Sequence, residues 1–280
     1  MDFAFYDGQV LPLPEVRFFP DDRAFFFGDG VYDAMVGNMR EIYLLERHLA
    51  RFRKSLSALS LTVEYSDCEI EEILRRLMQK VGGDMCFLYI QASRKKAERA
   101  HAIAGSHSSH FFAYAKRFSL PDENGRLFLV TTEDKRYELC HIKTINLLPN
   151  VLASTYAEER GADEAIFVKN NMVRECSHSN ISILLNGVLY THPLDCHILP
   201  GIMRGELISE AINMGISVVE RPFSIEEMLR AEGVFVTSTT RRVAFAQRID
   251  FTLLKEPSDS ALALHRAVNF AFYEKMQKND

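Results

Sequence analysis

A short polar segment divides the chain into two unequal parts and constrains its fold more than any other stretch. Ser119–Arg126 reads S-L-P-D-E-N-G-R, and this mixture of Pro, Gly and charged residues is typical of a linker. Past this segment, short strand patterns alternate with helical ones. The sequence therefore predicts an α/β (α+β) protein of two domains, a smaller one at 1–118 and a larger one at 126–280, joined by a linker at 119–125.

Composition narrows the class of protein. The 280 residues are 47% hydrophobic and 25% charged, as in an ordinary globular protein, and the net charge of -5 gives no sign of nucleic-acid binding. Five scattered cysteines without a CxxC pair argue against disulfides, and the histidines follow no metal-ligand spacing. No signal peptide or membrane-spanning apolar stretch is found. We therefore expect a reduced, cytoplasmic enzyme or binding protein with no metal and no membrane partner.

The clearest helix carries an apolar stripe with two basic side chains beside it. Its apolar residues recur at spacings of four and three and predict a face against a core: Leu45, Leu49, Phe52, Leu56 and Leu59. His48 and Arg51 lie off this stripe, three residues apart on one side. Spacing alone favours a solvated helix face for Arg51, although its fixed charge could also bind an anion.

One lysine lies among apolar side chains just before a predicted helix start. Lys143 occupies the third position of H-I-K-T-I-N-L-L-P, His141–Pro149. Such a lysine either extends its charge to water along an apolar stem or holds its amine partly desolvated. Desolvation lowers the pKa of an ammonium group and frees an amine that can form a Schiff base with a carbonyl. A single lysine of this kind is more often a solvated loop residue, so other features must decide between the two interpretations.

Three further places could bind an anion or a protonated ring. The turn Gly201–Met203 opens a predicted helix, Ile202–Asn213, whose first N–H groups favour a phosphate. The T-S-T-T segment, Thr237–Thr240, ends a strand and presents hydroxyl and N–H groups. Glu175 follows a short strand, and a carboxylate there could hold the proton of a ring nitrogen. Each feature taken alone is more often a plain cap, a turn or a loop carboxylate.

Two segments of the first part combine aromatic and cationic residues. R-A-F-F-F at Arg23–Phe27 predicts a buried segment, and the following Gly28–Gly30 is G-D-G, a common tight turn. Farther on, Arg99 and His101 fall on the same side of an extended chain and could together hold a carboxylate. The alternative for that pair is a basic surface loop.

Several strings in this sequence occur in the order found in one enzyme family. They are F-G-D-G-V-Y from Phe27, E-R-H-L-A-R from Glu46, I-K-T-I-N-L-L-P-N-V-L-A from Ile142, R-G-A-D-E-A-I from Arg160, V-R-E-C-S-H-S-N from Val173, L-Y-T-H-P from Leu189, G-I-M-R from Gly201 and F-V-T-S-T-T from Phe235. They run in family order over nearly the full length of the chain. The chain resembles the class IV, fold-type IV pyridoxal phosphate (PLP) aminotransferases, and among them it is most similar to D-amino-acid aminotransferases.

The resemblance implies a fold, a cofactor and a reaction. It implies a homodimer of two-domain subunits, with pyridoxal 5'-phosphate in the interdomain cleft and the larger domain, 126–280, as the PLP-binding one. The implied reaction is ping-pong transamination between an amino acid, such as D-alanine or another D-amino acid, and a 2-oxo acid. The cofactor would provide the electron sink, and the protein would provide position and protonation control.

The resemblance also assigns roles residue by residue. Lys143 would form the Schiff base and then shuttle the proton of the substrate carbon, and Glu175 would pair with the pyridinium nitrogen. The phosphate would be held by Arg51, by the N–H groups of Ile202 and Met203, and by Thr239. The substrate carboxylate would be bound by Tyr32, Arg99 and His101.

Departures from the family pattern leave the reaction open. Lys95–Glu98 replaces the small turn-forming residues expected before Arg99, and Met203 stands where D-amino-acid enzymes often carry threonine. G-I-M-R is also found in 4-amino-4-deoxychorismate lyases of the same family. Asp33 stands where those lyases tend to have threonine and aminotransferases glutamate. The alternatives are therefore such a lyase, giving 4-aminobenzoate and pyruvate, a branched-chain amino-acid aminotransferase, or a non-catalytic PLP-binding or interaction protein.

Overall fold

The computed structural model of the protein describes residues 1–103 and 107–277, and these form two compact units. Unit 1 contains residues 1–120, the pentapeptide Ile142–Asn146 and the described residues from Lys275 on. Unit 2 contains Pro121–His141 and Leu147–Glu274. The mixture of helices and strands confirms the predicted fold class. The predicted domain limits stay a prediction, and Ile142–Asn146, which they assign to the larger domain, shares its contacts with unit 1.

Unit 1 is built on an antiparallel sheet. Its described strands are β1 Phe3–Tyr6, β2 Gln9–Pro12, β3 Gly30–Gly37, β4 Cys86–Arg94 and β5 Ser109–Arg117, and its helices are α1 Arg23–Phe27, α2 Leu45–Ala58 and α3 Asp67–Val81. The strands lie in the order β2-β1-β5-β4-β3. Every neighbouring pair is antiparallel.

Helices α2 and α3 form the core of unit 1 with this sheet. The predicted stripe of α2 is confirmed, because Leu45, Leu49, Phe52 and Leu56 are buried and Leu59 packs against them. Each such side chain contributes roughly 1.5–3 kcal/mol on burial. Helix α3 starts at a capping box in which Ser66 and Glu69 satisfy each other's backbone N–H groups.

The aromatic segment before the G-D-G turn differs from its prediction. Arg23–Phe27 is a one-turn helix capped by the Asp22 side chain, which accepts a hydrogen bond from Ala24 N at 2.8 Å. Phe25 is 65% exposed, whereas Arg23 is buried. A helical turn sends neighbouring side chains to different sides, so this aromatic run cannot all face the core.

Unit 2 contains a larger mixed sheet. Its described strands are β6 Arg126–Glu133, β7 Glu164–Lys169, β8 Met172–Cys176, β9 Asn180–Leu185, β10 Val188–Thr191, β11 Ser217–Glu220, β12 Phe223–Ser224, β13 Gly233–Ser238, β14 Arg242–Ile249 and β15 Thr252–Leu253. They lie in the order β11-β10-β9-β13-β14-β6-β7-β8-β12, with β15 beside β14. The helices are α4 Leu148–Glu158, α5 Ile202–Asn213, α6 Ile225–Arg230 and α7 Asp259–Gln277, of which the last residues belong to unit 1.

Local sequence signals account for several boundaries in unit 2. The predicted hairpin turn at Asn186 and Gly187 is confirmed, with φ of 52° and 71° joining β9 to β10. Ser224 and Glu227 form the predicted capping box of α6, and α5 has the predicted bounds. Among the helices of the described residues, none is both long enough and apolar enough to cross a membrane.

Candidate active site

The segment that carries Lys143 is held on both sides by backbone hydrogen bonds. Val31 and Thr144 form an antiparallel bridge, Tyr32 N donates to Lys143 O at 2.9 Å, and Ile145 N donates to Gly30 O at 3.1 Å. The N–H group of Lys143 donates to Ser55 Oγ of helix α2 at 3.1 Å. The lysine therefore projects from a fixed backbone between strand β3 and helix α2.

The Lys143 side chain meets the first residue predicted to bind substrate. Its Nζ lies 4.3 Å from the centroid of the Tyr32 ring, and both side chains are half-buried. A cation over an aromatic face is attracted by the ring quadrupole. Tyr32 is itself stacked on Tyr89, with ring centroids 5.5 Å apart, and burial raises the pKa of Tyr89. The structure thus brings Lys143 and Tyr32 together on a supported aromatic surface.

Arg51 is buried, so the expectation of a solvated helix face is wrong. Its guanidinium donates to both carboxylate oxygens of Asp33, with Nε–Oδ2 2.9 Å and Nη2–Oδ1 2.8 Å. The buried face of the helix is therefore wider than the apolar stripe, because the strand residue Asp33 supplies a charge partner beside it. Two parallel N–H···O bonds of this type are strong and directional.

His48 completes this cluster as a neutral imidazole. Its Nδ1 lies 2.8 Å from Asp33 Oδ1. Burial lowers the pKa of His48 and outweighs the opposing effect of Asp33, and the charges of Arg51 and Lys143 lower it further. Burial alone would raise the pKa of Asp33, but Arg51 and His48 hold it below its usual range. The cluster Asp33–His48–Arg51 is therefore a carboxylate that accepts from one arginine and one neutral histidine.

Arg99 and His101 lie in an exposed loop of unit 1. The Arg99 guanidinium lies 5.4 Å from the Phe27 ring centroid, and the His101 ring is also 5.4 Å from Phe27. Within residues 1–103 and 107–277, no hydrogen bond or ring contact joins either of them to Tyr32. Their role at the substrate carboxylate stays a prediction.

In unit 2, Glu175 is enclosed by donors at the end of strand β8. Its Oε2 accepts from Asn180 Nδ2 at 2.9 Å and from Leu199 N at 3.0 Å, and its Oε1 accepts from Arg136. It is buried, contrary to the loop carboxylate that base rates favour. The neighbouring Cys176 is buried too, and burial raises the pKa of its thiol well above the usual range, which fits a structural cysteine.

Arg136 was not singled out from the sequence. It donates to Asp134 from Nε at 3.0 Å and from Nη2 at 2.9 Å, and it lies 4.1 Å above the Phe167 ring. Burial would lower the pKa of Arg136, but Asp134 and Glu175 outweigh it and raise the pKa. In sequence, D-K-R at 134–136 resembles a surface turn, and no local signal marks its arginine as buried.

Asn180 joins Glu175 to the start of helix α5. Besides Glu175, its amide donates to Leu199 O at 2.9 Å. A Cβ atom built on Gly201 would lie 1.8 Å from Asn180 Oδ1, so only glycine fits there. Gly201 is the N-cap of α5 and offers no side-chain acceptor to the first N–H groups, those of Ile202 and Met203.

The T-S-T-T turn lies beside the same strand end. In the register of β9 and β13, Thr237 pairs with Asn180. Thr237 is buried and its Oγ1 has no hydrogen-bond partner in the described part of the chain, while Thr239 is half-buried in the turn that follows β13. Unit 2 therefore brings together three of the predicted sites: the Glu175 carboxylate, the α5 N-terminus and the Thr237–Thr240 turn.

The fold and these sites define a class of enzyme. The family description "Amino-transferase class IV" matches residues 30–249, and the chain belongs to this family. Class IV aminotransferases depend on PLP. A relative named D-alanine aminotransferase, from Staphylococcus aureus strain MSSA476, is 34% identical over 254 residues, 89% of this chain and 90% of its own length.

Solved structures share the fold. A branched-chain aminotransferase from Thermoproteus uzoniensis, crystallised with norvaline, superposes with a TM-score of 0.90 at 22% identity, covering 98% of this chain and 96% of that one. A protein provisionally assigned as a 4-amino-4-deoxychorismate lyase, from Legionella pneumophila, gives a TM-score of 0.83 at 25% identity, covering 91% of this chain and 95% of that one.

Proposed function

We propose that this enzyme transfers an amino group between a D-amino acid, such as D-alanine, and a 2-oxo acid, with PLP as its cofactor. The observation that carries this proposal is the fixed Lys143, whose Nζ lies 4.3 Å from the Tyr32 ring. The 34% identity to a D-alanine aminotransferase supports the choice of substrate.

The residues of unit 2 fit the polar groups of PLP. Glu175 would accept the proton of the ring nitrogen, since the cationic Arg136 stabilises its ionised carboxylate. The N–H groups of Ile202 and Met203 would donate to the phosphate together with Thr239. The buried Thr237 Oγ1 has no hydrogen-bond partner among the described residues, and a phosphate oxygen nearby would supply an acceptor for it. When bound, PLP supplies an electron sink for the carbanion at the substrate α-carbon.

Arg51 is proposed to bind the phosphate as well, from a position beside a carboxylate. Its guanidinium already donates to both oxygens of Asp33. A guanidinium is a fixed positive charge with five N–H donors, and this charge is what the family resemblance assigns to the phosphate. Asp33 would then orient the arginine and offset part of its charge.

Lys143 would hold the cofactor covalently and move one proton. Released by the incoming amino acid, its Nζ would take the proton from the substrate α-carbon and deliver it to the cofactor. The Tyr32 ring face stabilises Nζ while it carries that proton. Tyr32, Arg99 and His101 would bind the substrate carboxylate and so orient the α-carbon toward Nζ.

Two assays on one holoenzyme sample test the reaction. The first follows pyruvate formed from D-alanine with 2-oxoglutarate, with L-alanine as the matched control. The second follows 4-aminobenzoate formed from 4-amino-4-deoxychorismate. Pyruvate from D-alanine but not from L-alanine is the expected result, and activity in the second assay alone would overturn the proposal.

A variant tests the lysine. Lys143→Ala should abolish both transamination and the visible absorption of the lysine-bound cofactor. Lys135→Ala, which changes an exposed lysine of unit 2, should leave both unchanged. Persistence of the band in Lys143→Ala would show that another residue holds the cofactor.

The lyase is the second candidate, and one observation favours it. Met203 lies buried in the first turn of α5, where D-amino-acid enzymes often have a threonine. A methionine has no hydroxyl to donate to the phosphate. A lyase would cleave the substrate and release pyruvate instead of returning the proton.

A homodimer is proposed on the family resemblance, and the mass in solution from light scattering tests it.

A further inference from the structure

Two buried arginines share one carboxylate oxygen beneath the G-D-G turn of unit 1. Arg23 Nε donates to Asp29 Oδ2 at 2.8 Å, and Arg94 Nε donates to the same oxygen at 3.0 Å. The side chains of the two arginines are 5% and 1% exposed and that of Asp29 is 10% exposed. Two cations against one anion leave excess positive charge, and further acceptors must stabilise it.

Backbone carbonyls of two different loops supply these acceptors. Arg23 donates to Ala100 O at 2.6 Å and to His101 O at 3.4 Å. Arg94 donates to Leu59 O at 2.6 Å and to Ser60 O at 3.4 Å. The two arginines therefore have the same anchor, and within residues 1–103 and 107–277 the hydrogen bonds to the backbone of Ala100 and His101 come from Arg23.

The Phe27 ring contacts the side chains of the same segment. The guanidinium carbons of Arg23 and Arg99 lie 4.6 Å and 5.4 Å from its centroid, and the His101 ring lies 5.4 Å away. Arg99 and His101 are exposed, so their side chains are ordered by this ring contact rather than by burial in the core. Ordering a long side chain on binding costs conformational entropy, and this contact lowers that cost before the substrate arrives.

The turn that follows Phe27 also contacts the lysine segment. Asn146 Nδ2 donates to Gly28 O at 2.7 Å and to Phe27 O at 3.3 Å. Gly28 has φ of 60°, and a Cβ atom there would lie 2.5 Å from Asn146 Oδ1. Residues 27–30 thus touch the Arg99–His101 segment on one side and the Lys143 segment on the other.

We propose that Arg23, anchored by Asp29 and stacked on Phe27, is a positioning residue for the substrate carboxylate. It fixes the backbone of Ala100 and His101 and so presents Arg99 and His101 in a prearranged geometry. This inference rests on the proposed function, in which those two side chains bind the carboxylate. Arg23 itself contacts neither substrate nor cofactor.

The experiment compares Arg23→Met with Arg94→Met. Each variant loses one ion pair to Asp29, but Arg94 donates to the backbone of Leu59 and Ser60 instead of Ala100 and His101. With D-alanine and the holoenzyme, Arg23→Met should raise KM about tenfold with kcat within about twofold, because only pre-ordering is lost. Arg94→Met should leave KM unchanged. Ethylamine, which is D-alanine without its carboxylate, should react equally with the wild type and both variants. Arg23→Lys, which keeps the charge, should restore part of the D-alanine affinity.

Amide hydrogen exchange gives a readout that does not depend on activity. Arg23→Met should speed exchange of the amides at 97–103 and leave those at 58–62 unchanged, and Arg94→Met should do the reverse. If Arg23→Met does not fold, Phe27→Leu, which keeps the ion pair, should give the same pattern at 97–103.

The outcomes separate the two proposals. Unchanged exchange at 97–103 in both Arg23→Met and Phe27→Leu, or equal changes in D-alanine KM for the two arginine variants, would overturn the positioning role. A wild type that transaminates neither isomer of alanine would overturn the proposed function, and the exchange pattern would still decide whether Arg23 holds the segment.

Discussion

The two units each bury a cluster of opposite charges, and the clusters are balanced in different ways. In unit 1, the carboxylate of Asp33 accepts from Arg51, from His48 and from Ala34 N. In unit 2, the cation of Arg136 is shared by two carboxylates, Asp134 and Glu175. One cluster centres on an acceptor and the other on a donor.

This difference decides which group remains available for a ligand. Both oxygens of Asp33 are taken by charged or ring donors, so Asp33 acts through Arg51 and His48. Glu175 has one oxygen on Arg136 and the other on two neutral donors, Asn180 and Leu199 N. The cation on Oε1 stabilises the ionised form of Glu175, and an ionised carboxylate is the form that accepts from a further proton donor.

Removing the central acceptor of unit 1 should have the largest effect on stability. Asp33→Asn leaves the charge of Arg51 buried without this carboxylate and should lower the free energy of unfolding by about 3–5 kcal/mol. Asp134→Asn should cost about 1.5–3 kcal/mol, because Arg136 still has Glu175 and because Arg174, which also donates to Asp134, keeps some contact with water. Urea unfolding of both variants measures the difference, and equal losses would contradict the distinction between the clusters.

Two glycines with left-handed backbone provide the next comparison. Gly28 in unit 1 has φ of 60° and its Cβ would meet Asn146, whereas Gly161 in unit 2 has φ of 65° and open space. Alanine at either position should cost about 1–2 kcal/mol for the backbone. Gly28→Ala should lose a further 1–3 kcal/mol or so by overpacking, and should also weaken the visible absorption of bound PLP, because Asn146 moves. Thermal unfolding and the absorption spectrum check both.

The capping boxes should give smaller and equal effects. Ser66→Ala in α3 and Ser224→Ala in α6 each remove one side-chain acceptor and should each cost about 1 kcal/mol. Denaturant unfolding followed by far-UV circular dichroism would show a single transition, shifted by either variant, if the two units unfold together. Two transitions, each shifted by only one of the variants, would show instead that they unfold separately.

The smallest effect concerns pH and His48. Burial lowers the pKa of His48 below 6.5, so the folded protein holds the ring neutral where the unfolded chain protonates it. The contribution of His48 to stability is therefore present above about pH 6.5 and is lost as the pH falls below it. His48→Gln, which can still donate to Asp33, should flatten the slope of unfolding free energy between about pH 5 and 7. An unchanged slope would mean that His48 has the same pKa in the folded and unfolded states.

Short-range patterns were enough to predict much of the fold. The start of α5, the Asn186–Gly187 turn and the Ser224 capping box are set by residues within one turn of each other, and all three are confirmed. The family likewise followed from strings in order along the chain, and the comparisons confirm it. Signals of this kind depend on no distant contact.

The contacts within the site could not be predicted in the same way. The burial of Arg51 depends on Asp33, which lies 18 positions away on a different element. Arg136 reaches Glu175 across 39 positions, and nothing in D-K-R marks it as buried. Asn180 stood within the family string V-R-E-C-S-H-S-N, yet only coordinates show that its amide bonds Glu175 while leaving no room at Gly201.

The close approach of Asn180 to Gly201 has a consequence for how this site can evolve. Any side chain at Gly201 would collide with the amide oxygen, and losing the amide would remove the hydrogen bonds that it donates to Glu175 and to Leu199 O. Each residue therefore blocks single substitutions at the other. A change at either position becomes tolerable only when the second changes with it, so the two are coupled by epistasis. Among homologues, positions 180 and 201 should be exchanged as a pair or kept as a pair.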